Sequence, residues 1–254
     1  MRAEMYRVHQ EFQDSHWWFT ARRDIVLSLL RRAIRRARMQ LPLRIVDIGC
    51  GAAGMVPHVR ELGYAIGVDP SPELVEFARQ NGIPARLGSL PDDVSRSGED
   101  PFDVVLLLDV LEHIDDDLAA LRGLRAVLRP GGVLLLTVPA FQFLWSKHDV
   151  VNEHRRRYTR PALAQRLRQA GFAIEKISYF NTVLFLPIAA VRLIGRLFRG
   201  RQPVPDMAAV REPFNRILHR LFALERHALA AVSLPFGVSL IALAHVPAAA
   251  DANS

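Results

Sequence analysis

One stretch of this sequence has residue types and spacing that imply ligand chemistry. In Arg44-Ile45-Val46-Asp47-Ile48-Gly49-Cys50-Gly51 an apolar run ends at an acid and breaks into glycines. Lacking a Cβ, Gly49 and Gly51 let the backbone turn tightly and approach a bound group closely. The next apolar run, Tyr64-Ala65-Ile66-Gly67-Val68-Asp69, ends in a second acid 18 residues after Gly51. In Rossmann-type sites an acid at the end of the second strand accepts hydrogen bonds from ribose hydroxyls. A nucleotide-like ligand is therefore expected. A P-loop is excluded, since no Gly-Lys-Ser/Thr follows the glycines. Gly49, Gly51 and Gly54 keep the G-x-G-x-x-G spacing, and glycine turns of this kind serve several nucleotides, so the turn alone does not decide between NAD and another nucleotide-like ligand.

A second set of residues can move protons or hold anions. His113 follows the apolar run Val104 to Leu108, and His148 and His154 lie in the polar stretch Trp145 to Tyr158. Histidine titrates near neutrality, which suits deprotonation of a hydroxyl, so these three are the candidate catalytic bases. Each also reads as a hydrogen-bonding loop or helix-start residue. Arg155-Arg156-Arg157-Tyr158 either clamps a phosphate or carboxylate or forms a solvated basic turn. Because the run closes that polar stretch, next to His154, Arg155, Arg156, Tyr158 and His148 are assigned to substrate binding. The adjacent Trp17 and Trp18 suit either helix packing or an aromatic lid, and join that set. Cys50 reads as a small packing residue, since no His or Lys in sequence marks it for activation.

An alternation of strands and helices must position these groups. Strands are expected at 43–48, 64–69, 85–87, 104–108, 133–138, 172–179 and 237–246, the last two antiparallel. Helices are expected over residues 4–38, including a first helix at 6–12 and a basic amphipathic one from Asp24 to Arg38. Others are expected at 72–80, with Ser71 as N-cap, at 116–128, stopped by Pro130-Gly131-Gly132, and at 160–170, with Thr159 as N-cap. Residues 91–101 read as a polar loop. Residues 182–236 are too long for a hairpin loop and divide into helices near 183–199 and 213–232 around a linker at 202–205. The chain thus reads as an N-terminal helical cap (1–40), a core (41–181 and 237–250) and a helical insertion (182–236).

Five blocks carry a family resemblance: Val46-Asp47-Ile48-Gly49-Cys50-Gly51, Gly67-Val68-Asp69-Pro70-Ser71, Phe102-Asp103-Val104-Val105, Asp109-Val110-Leu111-Glu112-His113 and Leu128-Arg129-Pro130-Gly131-Gly132. In this order they resemble the class I S-adenosylmethionine-dependent methyltransferases, of the methyltransferase type 11/12-like kind, across roughly residues 44 to 140. Two positions depart from the family. Ala53 stands where a third glycine is common, with Gly54 just after it, and Ser89 stands where many members have an acid near the adenine. The resemblance implies a Rossmann-like α/β sheet in the order 3-2-1-4-5-7-6, with strand 7 antiparallel. It implies S-adenosyl-L-methionine as cofactor, met by Asp47, Gly49, Cys50, Gly51, Asp69, Pro70, Ser89, Leu90, Asp109 and Val110. Methyl transfer to oxygen on a small or lipid-linked acceptor is the expected function. The alternative is a non-catalytic cofactor-binding or assembly protein on the same fold. Asp109, Glu112 and His113 resemble the Glu-x-x-Glu-His divalent-metal site of some quinone-biosynthesis O-methyltransferases. No metal is expected, because the sulfonium already supplies an activated electrophile.

Composition narrows the partners. The 254 residues are 50% hydrophobic with a net charge of +7, enough for a full core and against disorder. The single cysteine allows no internal disulfide and suits a cytoplasmic protein, and no signal peptide is recognised. No zinc finger or aromatic RNA-binding signature is present, so nucleic acid is not expected as a partner. Residues 228–250 carry no formal charge if His245 is neutral, but Ser233, Pro235, Gly237 and Ser239 interrupt them, so a strand is preferred to a membrane span. The insertion holds eight arginines against three acids beside long apolar runs. That pattern suits a helix at an anionic membrane surface, on the inner face, or equally a cap or dimer contact.

Overall fold

The computed structural model describes residues 13–90, 100–197 and 210–248. The expected helix at 6–12, the linker at 202–205 and most of the loop at 91–101 lie outside them. A seven-stranded sheet runs in the order β3-β2-β1-β4-β5-β7-β6. Its strands are β1 (Leu43–Ile48), β2 (Gly63–Asp69), β3 (Ala85–Leu87), β4 (Phe102–Leu108), β5 (Leu128–Pro139), β6 (Ala173–Phe180) and β7 (Ser239–His245). All pairings are parallel except those of β7 with β5 and β6. This is the order that the family resemblance implied.

The sheet is covered on both faces, which is why its central strands are continuous apolar runs. In β1, Leu43 and Ile45 enter one core layer, while Val46 and Ile48 enter the other. In β4, Val104, Leu106 and Leu108 face the first layer, and Val105 and Leu107 the second. The first layer holds α1 (Trp17–Arg36), α2 (Val56–Val59) and α3 (Pro72–Gln80). The second holds α4 (Asp117–Val127) and, beyond the short α5 (Lys147–Val151), α6 (Arg160–Gln169). The expected caps form: Ser71 accepts the N–H of Leu74, and Thr159 accepts that of Ala162.

Three differences from the sequence expectation have a visible physical cause or change the layout. The basic helix starts at Trp17, not Asp24, because His16 caps it and accepts the N–H of Trp18 at 3.3 Å. β5 begins at Leu128, before Pro130-Gly131-Gly132, because Leu128 pairs with Phe102 ahead of a register shift. Among its described residues the insertion holds three helices, where two were expected: α7 (Phe185–Leu197), α8 (Phe214–Ala223) and α9 (Glu225–Ala231), the last two separated at Leu224.

The insertion joins the first layer by packing on α1. Trp17 meets Phe222 edge-on at 6.0 Å, and Phe222 stacks on Phe180 at 5.9 Å. The Asn215 side chain accepts the N–H of Trp17 and donates to the carbonyl of Ser15, both at 2.8 Å. One amide thus ties α8 to the start of α1.

Candidate active site

The C-terminal ends of β1, β2, β4 and β5 open into a cavity of about 760 Å³, roofed by α1 and the insertion. That is where open α/β sheets bind ligands, and the volume lies in the upper part of the ~300–1,000 Å³ range of small-molecule sites.

At the β1–β2 end, the glycine turn is built around absent side chains. A Cβ on Gly49 would stand 2.3 Å from Val110 Cγ2, and Gly49 and Gly51 both take positive φ, +68° and +58°. Asp69 buttresses the turn: Oδ2 accepts the Gly51 N–H at 2.8 Å, and Oδ1 accepts the Ser71 N–H at 2.9 Å. Each oxygen keeps a second lone pair for a ribose hydroxyl. Cys50 lines the cavity and packs against Gly67, where a Cβ would come within 2.6 Å of its sulfur. Burial and the nearby Asp47 and Asp69 push its thiol pKa well up, so the group stays a neutral packing residue.

Arg22 is one residue that sequence reasoning missed. It sits in the first half of α1, ion-paired with Asp109, with its guanidinium 4.7 Å from the Trp18 ring centroid. Burial lowers its pKa to about 10, with Asp47 and Glu112 opposing. Burial also raises Asp47 to about 7, against the pull of Arg22. An acid and a guanidinium thus share one wall, a set that suits the ammonium and carboxylate of an amino acid. Starting the helix at Asp24 hid Arg22. The fold that brings α1 over β1 and β4 reveals it.

The expected bases come together on another wall. His113 and His154 meet edge-to-face at 4.8 Å, and His148 and His154 at 6.0 Å. His154 Nδ1 lies 2.9 Å from Asp149 Oδ1, and its Nε2 lies 3.9 Å from Glu112 Oε1. The Asn152 side-chain nitrogen approaches His148 Nε2 at 3.1 Å. Burial and His154 lower the pKa of His113 to about 4, so that ring is neutral. Burial raises Glu112 to about 8. Burial works on Asp149 in the same sense, but hydrogen bonds from His154 and Arg157 outweigh it and hold the carboxyl well below its ordinary range.

Arg157, another unassigned residue, organises this wall. It donates to Asp149 through Nε at 2.7 Å and NH2 at 3.0 Å, and through NH1 to the Ala140 carbonyl at 3.0 Å. Arg155 lines the cavity beside it. Arg156 and Tyr158, assigned to substrate from sequence, do not line the cavity. Arg156 pairs with Asp117 at 3.2 Å, and the buried Tyr158 hydroxyl donates to Asp117 at 2.9 Å, so both serve the α4–α6 layer. Ser89 and Leu90 also lie off the cavity, because Leu90 turns into the second core layer. Trp17, Trp18, Pro70, Asp109 and Val110 line it. Among the described residues, the metal-type donors that cluster are Glu112, His113 and His154, within 4.8 Å of one another. Asp109, grouped with Glu112 and His113 from the sequence, is held by Arg22 instead.

The methyltransferase domain family matches residues 15–177. The chain belongs to that family, and its sheet has the strand order that the resemblance to class I S-adenosylmethionine-dependent methyltransferases implied. Among curated proteins it is similar to a ubiquinone biosynthesis O-methyltransferase of Cereibacter sphaeroides, 32% identical over 145 residues that cover 53% of this chain and 58% of the relative. The chain thus spans little more than half the length of that relative. A solved S-adenosylmethionine-dependent methyltransferase from Archaeoglobus fulgidus superposes with a TM-score of 0.55 at 17% identity, covering 85% of this chain and 93% of its own. The plantazolicin methyltransferase BamL, solved with a triazolic desmethylPZN analog and SAH, superposes at 0.60 with 12% identity, covering 95% and 89%. Both share the fold of this methyltransferase.

Proposed function

We propose that this methyltransferase acts on a hydroxyl oxygen of a small or lipid-linked acceptor. The observation that carries the reading is the pairing of His154 with Asp149 on the cavity wall. A carboxylate on Nδ1 fixes the tautomer whose Nε2 is the basic nitrogen. The residues also fit the cofactor: Asp69 and the glycine turn suit the ribose, and Asp47 with Arg22 suits the amino acid end. S-adenosylmethionine supplies an activated methyl group when bound. The protein's part is to orient the acceptor, exclude water and take the hydroxyl proton at His154, with Arg157 holding Asp149 in place. Oxygen as the acceptor atom is supported by the names of the curated relatives, ubiquinone biosynthesis O-methyltransferases. The test is His154→Gln. We expect kcat to fall by ~10²–10⁴ with cofactor affinity retained. An unchanged kcat would move the base to His113 or His148. A wild-type protein that binds cofactor but transfers no labelled methyl to any extract fraction would favour the non-catalytic alternative.

The insertion supports an amphipathic acceptor met at an anionic membrane surface. Its inner side gives the cavity Leu184, Ile188 and Leu218. Its outer side exposes Leu186 and Ile194 on α7, and Phe214, Ile217 and Leu221 at helical spacing on α8. Arg216 and Arg220 lie between those α8 residues, the pairing of apolar and basic groups that anionic interfaces favour. Among the described residues no helix is long and apolar enough to cross a membrane. The stretch 228–250 instead enters β7. The protein should float with anionic vesicles, less so at high salt, and stop floating when Leu186, Ile194, Phe214 and Ile217 are made polar. Phe185 is left intact, because it packs against Phe141 and Phe236. Wild-type protein that stays at the bottom of a low-salt gradient would return the insertion to a cap.

A further inference from the structure

The exit of β6 carries a polar group that methyl transfer leaves unused. Asn181 follows Phe180 with φ +56°. Its backbone is clamped on both sides: its N–H donates to Glu225 Oε2 at 2.7 Å, and its carbonyl accepts the Val238 N–H at 3.4 Å. Glu225 also accepts the N–H groups of Thr182 at 2.7 Å and Val183 at 3.1 Å, so α9 holds this turn firmly. Asn181 is only 2% exposed, yet it lines the cavity. Its amide makes no hydrogen bond to any described residue, and Oδ1 is sealed without a partner.

Buried amides without partners are rare, because each has given up its hydrogen bonds to water. Asparagine tolerates a left-handed φ, which accounts for its presence at the turn. It does not account for an unpartnered buried amide beside the cavity, since glycine meets the same backbone demand without burying a polar group.

Position indicates what the amide could meet. β6 is three strands from β4 in the sheet order, about 14 Å at ~4.8 Å per step. Asp109 stands at the end of β4, and His113 lies four residues further on. The Asn181 end of the cavity is therefore the end remote from the cofactor turn. Val238, Ser239 and Leu184 line the cavity there, with no formal charge. The Glu225 carboxylate behind the Asn181 N–H disfavours an anion.

We propose that Asn181 recognises the far end of the acceptor. The ligand would be an elongated molecule with a neutral hydrogen-bonding group (a carbonyl, amide or hydroxyl) on the order of 10 Å or more from the hydroxyl that is methylated. This rests on the hydroxyl-methylation reading above. The Nδ2 group suits the task because it donates, and the oxygen of a carbonyl, an amide or a hydroxyl accepts; the sealed Oδ1 takes no part.

Two phenols of matched shape test the assignment, 6-(4-hydroxyphenyl)hexanamide and its hydrocarbon counterpart 4-(6-methylheptyl)phenol. Their affinities are measured by calorimetry on protein saturated with S-adenosylhomocysteine, and labelled methyl transfer is measured separately. Asn181→Gly keeps the backbone conformation, and Asn181→Asp keeps the shape while adding charge. Wild type should favour the amide over the hydrocarbon by about tenfold more than Asn181→Gly does. Both variants should keep wild-type affinity for S-adenosylmethionine and for the hydrocarbon phenol. Equal affinities for the two phenols in wild type, or a preference that survives Asn181→Gly, would overturn the proposal. If the preference is present and lost as expected while neither phenol is methylated, the subsite stands and hydroxyl methylation falls.

Discussion

Burial of Asp47 has a measurable consequence for cofactor affinity. The residue is 4% exposed, and burial raises its pKa to about 7, against the pull of Arg22. Near neutral pH about half of the unliganded molecules therefore carry a proton there. Only the ionised form can hold the cofactor's ammonium, so apparent affinity scales with the ionised fraction. That fraction is about one in eleven at pH 6 and about ten in eleven at pH 8, so affinity for S-adenosylmethionine should rise roughly tenfold across this window. Calorimetry in two buffers of different ionisation enthalpy should count nearly one proton released per cofactor at pH 6 and almost none at pH 8. Asp47→Asn should bind weakly with a flat profile. Glu112→Gln separates the other raised carboxyl, at about 8, and should keep the slope between pH 6 and 7. Affinity that is constant from pH 6 to 8, or a slope that persists in Asp47→Asn, would refute the assignment. The sign for stability is opposite. Folded Asp47 keeps a proton that the unfolded chain releases above its ordinary carboxylate pKa, so this group's contribution falls as pH rises from about 4 through 7.

Other expectations follow from the same geometry. Asp69→Ala removes acceptors for the ribose and for the Gly51 and Ser71 amides, and should weaken cofactor binding by on the order of 1.5–3 kcal/mol per charged hydrogen bond; unchanged affinity in calorimetry would remove Asp69 from the site. Arg157→Met strands the Asp149 carboxylate, and denaturant titration should find a loss of about 3–5 kcal/mol, the cost of breaking a buried pair. A stability within error of wild type would show that solvent reaches this wall. Chelator should leave turnover intact. If it abolishes turnover and Mg²⁺ or Zn²⁺ restores it, Glu112, His113 and His154 become metal ligands and the base must lie elsewhere.

The core of this fold was legible in the sequence because its signals are local. Strand β4 is an unbroken apolar run, Ser71 and Thr159 mark their helices, and the glycines at 49 and 51 need backbone angles that few other residues adopt. The acid at 69 could be found by its distance from the turn, since one helix of limited length separates β1 from β2. Sequence proximity misled where tertiary partners compete for a side chain. Arg155, Arg156 and Arg157 are consecutive, yet Arg155 lines the cavity, Arg156 turns away to pair with Asp117, and Arg157 reaches the cavity wall while buried on Asp149. A loop has no fixed periodicity, so its side-chain directions are set by the acids it happens to meet. Arg22 and Asn181 were invisible for a related reason. Each reaches the cavity only because a distant element, β4 for one and α9 for the other, holds it there. Spacing along the chain could identify the glycine turn that lines the cavity. Only the packing of α1 and the insertion over the sheet decided which charges and amides close the site.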